Sequence, residues 1–160
     1  MIFGKDTSLR ERSRTNGEAM PPQVKDSGIA FHPHTGTYLM CDFHGCVEPE
    51  INKKRPVIVV TRVPYRSQRL CVVVPTSTTE PAHPQPYHVR LSRNYHPNEP
   101  DDMAVWAKCD LITNVSYARL DRFKVGFRKY DAPRITADDL RAVRAGIVAA
   151  LDFAGLTLKG

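Results

Sequence analysis

The chain has 160 residues, 41% of them hydrophobic and 25% charged, which is enough for one domain with its own core and too little for two. It contains no stretch of roughly 20 apolar residues that could cross a membrane and no apolar signal segment at the N-terminus, so we expect a cytoplasmic protein without a membrane partner. Lysine and arginine number 23 against 17 aspartate and glutamate, and this excess of six, which is unevenly distributed, favours an anionic partner.

The first 30 residues are polar and charged, and they show no sustained apolar period. Gly17 and the pair Pro21-Pro22 interrupt them further. The sequence therefore predicts a flexible arm over residues 1–30, followed by a folded domain over residues 31–160.

Three β-favouring runs come next. TYLMCDF predicts a strand near 37–43, and the β-branched run VIVVTR after Pro56 predicts a buried strand over 56–62. LCVVVP predicts a third strand at 70–75. The short connection between the second and third runs favours antiparallel pairing at the centre of a sheet.

The second half of the chain alternates shorter strand signals with loops. YHVRLS predicts a half-buried strand, and MAVWAKCDLI and NVSYARL predict two more, joined near Thr113. Thr136, followed by Asp139, resembles a capping box at the start of a helix through DDLRAVRAGIVAALDF. One face of that helix carries a recurring apolar set: Leu140, Val143, Ile147, Val148 and Leu151.

This succession predicts a mainly β protein of the α+β class. Many short strands and one amphipathic helix are typical of a small, strongly bent antiparallel sheet or barrel, with the helix packed against it.

Basic residues are concentrated in one part of the chain. Six of them and no acidic residue lie between positions 53 and 69: Lys53, Lys54, Arg55, Arg62, Arg66 and Arg69. Such a run favours a nucleic acid as partner, although a solvated surface explains it equally well.

The order of the segments resembles a known family. GTYLMCDF, KKRPVIVV, CVVVPTSTT, YHVRL and WAKCDLITNVSYARL, followed by an amphipathic helix, are similar to the MazF/PemK/Kid group of toxins over residues 31 to 153. The resemblance implies an SH3-like β-barrel homodimer that cleaves single-stranded RNA without a metal or other cofactor. It also implies a cognate antitoxin as partner.

The resemblance also selects catalytic residues. Arg55 matches the characteristic arginine before proline, and Ser77 falls where relatives carry Thr or Ser. Lys108 and Asp110 stand where Kid-like relatives have Arg-Cys-Asp. On one strand, residues two apart emerge on the same face, so this pair could reach one phosphate.

Metal-free RNA cleavage needs a base, a binder of the pentavalent phosphate and an acid. We assign these roles to Asp110 as base, to Arg55 and Ser77 as phosphate binders, and to Lys108 at the leaving oxygen. From the residues alone, a surface arginine, a turn serine and an exposed Lys–Asp ion pair are the alternatives.

Further residues are expected to contact RNA: Lys53, Lys54, Thr76, Thr78, Arg66, Arg69 and His44. The sequence departs from the family pattern at two places. Lys108 replaces the Kid arginine and lacks its planar fork of donors. A histidine that some relatives carry six residues before Arg55 is Pro49 here, and His44 in the same loop is its possible substitute.

The four cysteines are expected to be reduced, and three of them, Cys41, Cys71 and Cys109, to be buried. Two other functions remain open. Cys41, His44 and Cys46 could begin a zinc site, although their spacing is poor for a zinc finger. A CcdB-like toxin that binds DNA gyrase, or an inactive relative, would share the barrel without the chemistry.

Overall fold

The computed structural model describes residues 28–62, 68–153 and 155. The described strands are β1 (Tyr38–Asp42), β2 (Lys54–Arg62), β3 (Leu70–Ser77), β4 (His88–Arg90), β5 (Trp106–Lys108), β6 (Thr113–Ser116), β7 (Leu120–Asp121), β8 (Phe123–Gly126) and β9 (Lys129–Asp131). Helix α1 (Ala137–Ala150) follows them, and two 3-10 turns occupy Cys109–Leu111 and Tyr117–Arg119. No helix in the described ranges is both long and apolar enough to span a membrane.

The strands form one antiparallel sheet and a separate hairpin. The sheet has the order β4-β5-β3-β2-β1-β7, with β6 also paired to β3. Strands β8 and β9 form a separate two-stranded sheet. This confirms a mainly β fold of the α+β class with a C-terminal helix. The hydrogen-bonded ladder does not close into a ring within the described residues, so the sheet is open where a closed barrel is predicted.

The central strand β2 is buried on both faces, which explains its uninterrupted apolar sequence. Ile58 and Val60 face a core that α1 covers with Val143. Val57 and Val59 face a second core, which includes Ile29. Ile29 is only 3% exposed, so the folded part begins before residue 31, where the predicted boundary of the arm lies. The rest of that predicted arm, residues 1–27, lies outside the described residues.

The first three strand predictions are confirmed, but the later strands are shorter than predicted. The predicted strand through MAVWAKCDLI ends at Lys108, and a 3-10 turn replaces its last residues. The predicted strand through NVSYARL is broken by the second 3-10 turn. Local β propensity does not reveal these breaks, because pairing with β3 decides them.

The break after Lys108 follows from the register of β3. Thr76 pairs with Ala107, and Val73 pairs with Thr113. Two residues of β3, 74 and 75, therefore face five residues, 108–112. The three surplus residues cannot join the ladder, and they fold outward as the turn Cys109–Leu111.

Helix α1 begins as predicted. Thr136 caps it, because the Oγ1 atom accepts a hydrogen bond from the Asp139 amide at 3.2 Å. The capping is not reciprocal, since the Asp139 carboxylate turns into the core. It accepts bonds from the Ser92 hydroxyl at 2.8 Å and the Tyr95 hydroxyl at 2.6 Å.

The buried stripe of α1 is narrower than predicted. Leu140, Val143, Ile147 and Ala150 pack on the core, at spacings of three or four residues. Val148 is 42% exposed and Leu151 is 46% exposed. Each lies one residue beyond the stripe, and one residue turns the side chain by about 100° around the helix axis.

Asp139 should contribute strongly to stability. We expect Asp139→Ala to lower the free energy of unfolding by about 3 kcal/mol, because it removes a buried charged acceptor and leaves its donors without a partner. Urea unfolding followed by the fluorescence of Trp106, the one tryptophan of the sequence, measures the loss.

Asp138→Ala is the matched control, since Asp138 lies in the same helical turn with its side chain 87% exposed. The control should change the free energy by no more than about 0.5 kcal/mol. Equal losses in the two variants would contradict the role given to the Asp139 network.

Candidate active site

Arg55 lies at the start of β2, at the rim of a pocket of about 100 Å³. Thr76, Ser77 and Thr78 at the end of β3 line the same pocket, as does Glu99. The antiparallel pairing of β2 with β3 brings these segments together, although they are about 20 positions apart in the sequence. Arg55 is half-buried, and no ion pair joins it to a carboxylate in the described part of the chain. The donors of its guanidinium therefore remain available to an anion.

A chain of buried hydroxyls fixes the backbone beside Arg55. The Thr76 hydroxyl donates to the Pro56 carbonyl at 3.1 Å, so it accepts from the Tyr38 hydroxyl at 2.7 Å. Burial raises the pKa of Tyr38 to about 12, so its hydroxyl keeps its proton at neutral pH. Thr76 is only 2% exposed. Its side chain supports the pocket from inside. The prediction has Thr76 contact RNA, but this buried position does not allow such a contact.

Ser77 has the geometry of a turn residue, which is one of the two readings that the sequence leaves open. Its Oγ atom accepts a hydrogen bond from the Thr79 amide at 3.1 Å, as expected of a turn residue. This bond uses an oxygen lone pair and leaves the hydroxyl proton free to donate to a phosphate. Thr78 is exposed beside it. The predicted phosphate contact of Ser77 is thus compatible with its turn geometry.

Glu99 is a carboxylate of this pocket that the sequence pattern does not select. The amide of Asn94, which is 2% exposed, donates to the Glu99 Oε2 atom at 3.0 Å and to the Pro100 carbonyl at 3.2 Å. A buried asparagine thus orders the loop that presents Glu99. No motif marks this pair, because four residues of irregular loop lie between Asn94 and Glu99.

Asp110 occupies the outward 3-10 turn after β5. The prediction that Lys108 and Asp110 share a strand face is therefore wrong, because β5 ends at Lys108 and Asp110 does not belong to a strand. Asp110 is exposed and lines a second pocket together with Cys46, Pro75 and Thr113. Pro75 belongs to β3, two residues before Ser77. The end of β3 thus lies between the Asp110 pocket and the Arg55 pocket.

His88 connects Lys108 to Asp110 in space. It pairs with Lys108 across β4 and β5, so the two side chains share a face. Its Nε2 atom lies 3.8 Å from the Asp110 Oδ1 atom, and its side chain is 12% exposed. The Gln85 amide donates to Nδ1 at 3.2 Å, which places the proton of the neutral ring on Nε2, toward the carboxylate. The YHVRL pattern gives His88 a strand position but no partner.

Helix α1 holds the Asp110 turn from behind. The Cys109 thiol donates to the Val143 carbonyl at 3.5 Å. At Gly146 a Cβ atom would lie 2.8 Å from the Cys109 Sγ atom and 2.7 Å from Val89. Only glycine allows this close approach, which fixes the backbone on which Asp110 sits.

The comparisons with known proteins agree with this arrangement. Residues 35–151 match one family, described as "PemK-like, MazF-like toxin of type II toxin-antitoxin system". The match covers most of the chain and includes Arg55, Ser77, Lys108 and Asp110. The chain belongs to this family of MazF-like toxins.

Solved structures show the same fold at low sequence identity. A crystal structure of MazF from Deinococcus radiodurans is 19% identical with a TM-score of 0.56, covering 76% of this chain and 98% of that one. An endoribonuclease in complex with its cognate antitoxin, from a mycobacterial species, is 17% identical with a TM-score of 0.52, covering 76% and 96%. No curated protein matches the toxin in sequence.

The basic run of this toxin is divided between the two ends of the sheet. Lys53 and Lys54 are exposed at the Arg55 end. Arg69 precedes β3 at the opposite end, eight residues or about 26 Å from Ser77. Its guanidinium donates to the Ile29 carbonyl and lies 5.3 Å from the centre of the Tyr117 ring. Arg69 thus stabilises the fold far from the two pockets. The prediction that it contacts RNA is not supported by this position. Arg66 lies outside the described residues.

The loop after β1 is organised by Asp42. The His44 amide donates to the Asp42 Oδ1 atom at 3.0 Å, and its ring bonds the same atom. These bonds, with Lys54 at 3.9 Å, lower the pKa of Asp42. His44 is exposed but turned toward Asp42. Cys41 is buried in the core, so the possible zinc ligands do not converge. Within the described ranges no three His, Cys, Asp or Glu side chains form a cluster able to hold a metal.

The four cysteines are free, and the predicted three are buried. Burial raises the pKa of Cys41, Cys71 and Cys109 to about 12 each. Since the thiolate is the nucleophile, and it forms only as the pH approaches that value, these three should be inert at pH 8.

Cys46 is half-buried at the Asp110 pocket, so we expect it to react first with iodoacetamide in the native toxin. Mass spectrometry of the alkylated protein should show one modified thiol in buffer and four in guanidinium chloride. Rapid modification of Cys109 in buffer would contradict its placement under α1.

Proposed function

We propose that this toxin is an endoribonuclease that cuts single-stranded RNA through attack of the ribose 2′-OH on the adjacent phosphate. The observation that carries the proposal is the end of β3, where Pro75 lines one pocket and Ser77 lines another. One pocket is lined by an arginine that has no carboxylate partner among the described residues. The other is lined by a carboxylate beside a histidine. The similar mycobacterial structure is titled as an endoribonuclease, which supports the same chemistry.

Arg55 and Ser77 bind the phosphate at the cut. A guanidinium can donate to both nonbridging oxygens of the phosphate at once, and the Ser77 hydroxyl donates to one of them. Both groups gain strength as negative charge grows in the pentavalent transition state. The hydroxyl chain from Tyr38 to Pro56 holds this end of β2 in place, so little reorganisation is needed during the reaction.

Asp110 accepts the proton of the 2′-OH. The 2′ oxygen then forms a bond to phosphorus, and the bond from phosphorus to the 5′ oxygen breaks. The Lys108 ammonium lies on the same face as His88, and it neutralises or protonates the departing oxygen. The products are a 2′,3′-cyclic phosphate and a fragment with a 5′-hydroxyl. No step needs a metal.

We further propose that the toxin acts as a homodimer in the cytoplasm and is neutralised by a cognate antitoxin. The Deinococcus radiodurans MazE–MazF structure, 18% identical with a TM-score of 0.52, is a toxin–antitoxin pair. An acidic peptide would compete with RNA for Lys53, Lys54 and Arg55, because all three are cations at the same end of the sheet.

Cleavage should depend on Arg55 and Asp110. In EDTA, wild-type toxin should cut a long single-stranded RNA. Arg55→Ala should lower kcat/KM about 100-fold to 1000-fold through loss of phosphate stabilisation, and Asp110→Asn by about 100-fold to 10,000-fold through loss of the base. Denaturing gels and end mapping of the products give the rates.

Three further variants sharpen the assignment. Lys108→Arg restores the family residue and should retain activity, whereas Lys108→Ala should not. Arg93→Ala is the control, since Arg93 is half-exposed and already pairs with Asp101 at 3.6 Å. Glu99→Gln tests the other carboxylate. A larger loss there than in Asp110→Asn would move the base to the Arg55 pocket, and inhibition of DNA gyrase without RNA cleavage would favour the CcdB-like alternative.

His88 should orient Asp110. We expect His88→Gln to lower kcat about tenfold with little change in KM, because the carboxylate loses a neighbouring donor but the phosphate binders stay in place. Single-turnover cleavage separates the two constants. In the Asp110→Asn background the same substitution should have little further effect, and independent, multiplicative losses would argue against coupling of the pair.

A further inference from the structure

The β8–β9 hairpin exposes an unusual amount of apolar surface. Phe127 at its turn is 84% exposed, Tyr130 is 45% exposed and Val125 is 41% exposed. Burial of such rings would stabilise the fold, so their exposure on a hairpin outside the main sheet indicates a binding surface.

Cations accompany the rings. The Arg122 guanidinium lies 5.0 Å from the centre of the Tyr130 ring, and the Arg128 guanidinium lies 5.2 Å from the centre of the Phe127 ring. From Arg119 to Arg134 the sequence has six basic and two acidic residues, a net charge of +4. Rings interleaved with arginine and lysine are what single-stranded nucleic acids stack on.

A basic groove leads from the hairpin toward the proposed cut site. It measures about 280 Å³ and is lined by Lys54, Arg119, Arg122 and Lys124, together with Asp42 and Asp121. Lys54 directly precedes Arg55. The groove therefore reaches the same end of β2 as the Arg55 pocket, although the two side chains project to opposite faces of the strand. An RNA strand that passes around this end of β2 would meet both.

The base of the hairpin is attached to the walls of the Arg55 pocket. The Phe123 ring centre lies 5.4 Å from that of Tyr38, whose hydroxyl bonds Thr76. The Asn98 amide donates to the Lys124 carbonyl at 2.8 Å, and Asn98 directly precedes Glu99. The hairpin thus stands in a fixed position relative to the pocket.

We propose that this hairpin is a second RNA-binding subsite of the toxin. Bases that flank the cut stack on Phe127 and Tyr130, and their phosphates follow the groove lined by Lys54, Arg122 and Lys124. An apolar protein partner would have to desolvate the arginines over both rings, and a second copy of the chain would bring the same positive charge. RNA offers bases that stack on the rings and phosphates that pair with the cations.

The role of these bases in cleavage rests on the proposed function, whereas binding can be measured without cleavage. The probe is a fluorescein-labelled, single-stranded RNA of 24 nucleotides and mixed sequence, titrated in EDTA with Asp110→Asn toxin so that it stays intact. In that background, Phe127→Ala with Tyr130→Ala should raise the Kd at least tenfold. Phe127→Trp should restore most of the affinity lost through Phe127→Ala, since tryptophan also offers a stacking face.

Phe153→Ala is the matched control, because Phe153 is also an exposed phenylalanine, at 46%, but lies after α1. It should leave the Kd unchanged. Arg122→Gln with Lys124→Gln, which removes two cations of the groove, should reduce the slope of log Kd against log salt by about 1.4, or about 0.7 for each lost phosphate contact. This second measurement does not depend on the aromatic variants.

An unchanged Kd in the aromatic double variant together with an unchanged salt slope would overturn the subsite. So would a change from dimer to monomer in the double variant, seen by light scattering, since the hairpin would then join two copies. If wild-type toxin binds RNA through the hairpin but cuts nothing, the proposed function fails and the subsite stands. If wild-type toxin cuts RNA but the hairpin variants bind RNA with wild-type affinity, the subsite fails and the proposed function stands.

Discussion

The geometry of this toxin depends on how one edge of β3 is shared. The beginning of β3 pairs with β6 and its end pairs with β5, but the chain between these partners is three residues too long for a continuous ladder. The surplus becomes the turn Cys109–Leu111. Because Cys109 is held under α1, the neighbouring Asp110 is directed outward, beside His88. A carboxylate is thus placed at the sheet edge by a mismatch in register, a common use of strand irregularities near functional sites.

The same strand lies between two pockets, one lined by Arg55 and Glu99 and the other by Asp110. On one side, Arg55 has donors available for an anion and a serine hydroxyl beside it. On the other side, Asp110 carries negative charge next to a histidine that can donate to it. Keeping the arginine away from the carboxylate prevents the ion pair that would neutralise both. Each group therefore remains available for the role proposed for it, Arg55 at a phosphate and Asp110 as a base.

Charge that is clustered in the sequence is dispersed in the fold. Strand β2 carries the chain from Lys54 to the far end of the sheet, so Arg69 stabilises Ile29 and Tyr117 at a distance from the pockets. The charge around β7, β8 and β9 gathers beside Lys54 instead. The positive surface near the proposed site is therefore built from segments about 70 positions apart, which explains how a basic run can predict an anionic partner and still misplace its contacts.

The sequence by itself determined the class of fold, the central strands and the start of the helix. β-branched runs, an apolar helical stripe and a threonine cap are local signals that tertiary packing did not override. Its resemblance to the family also selected Arg55 and Ser77 as candidates, and both line one pocket. Only the tertiary structure decided that Asp110 lies on a turn, that His88 and Glu99 face the predicted residues, and that Thr76 is buried. Those outcomes depend on pairing register and on contacts between distant segments, and no periodicity within a single segment encodes either of them.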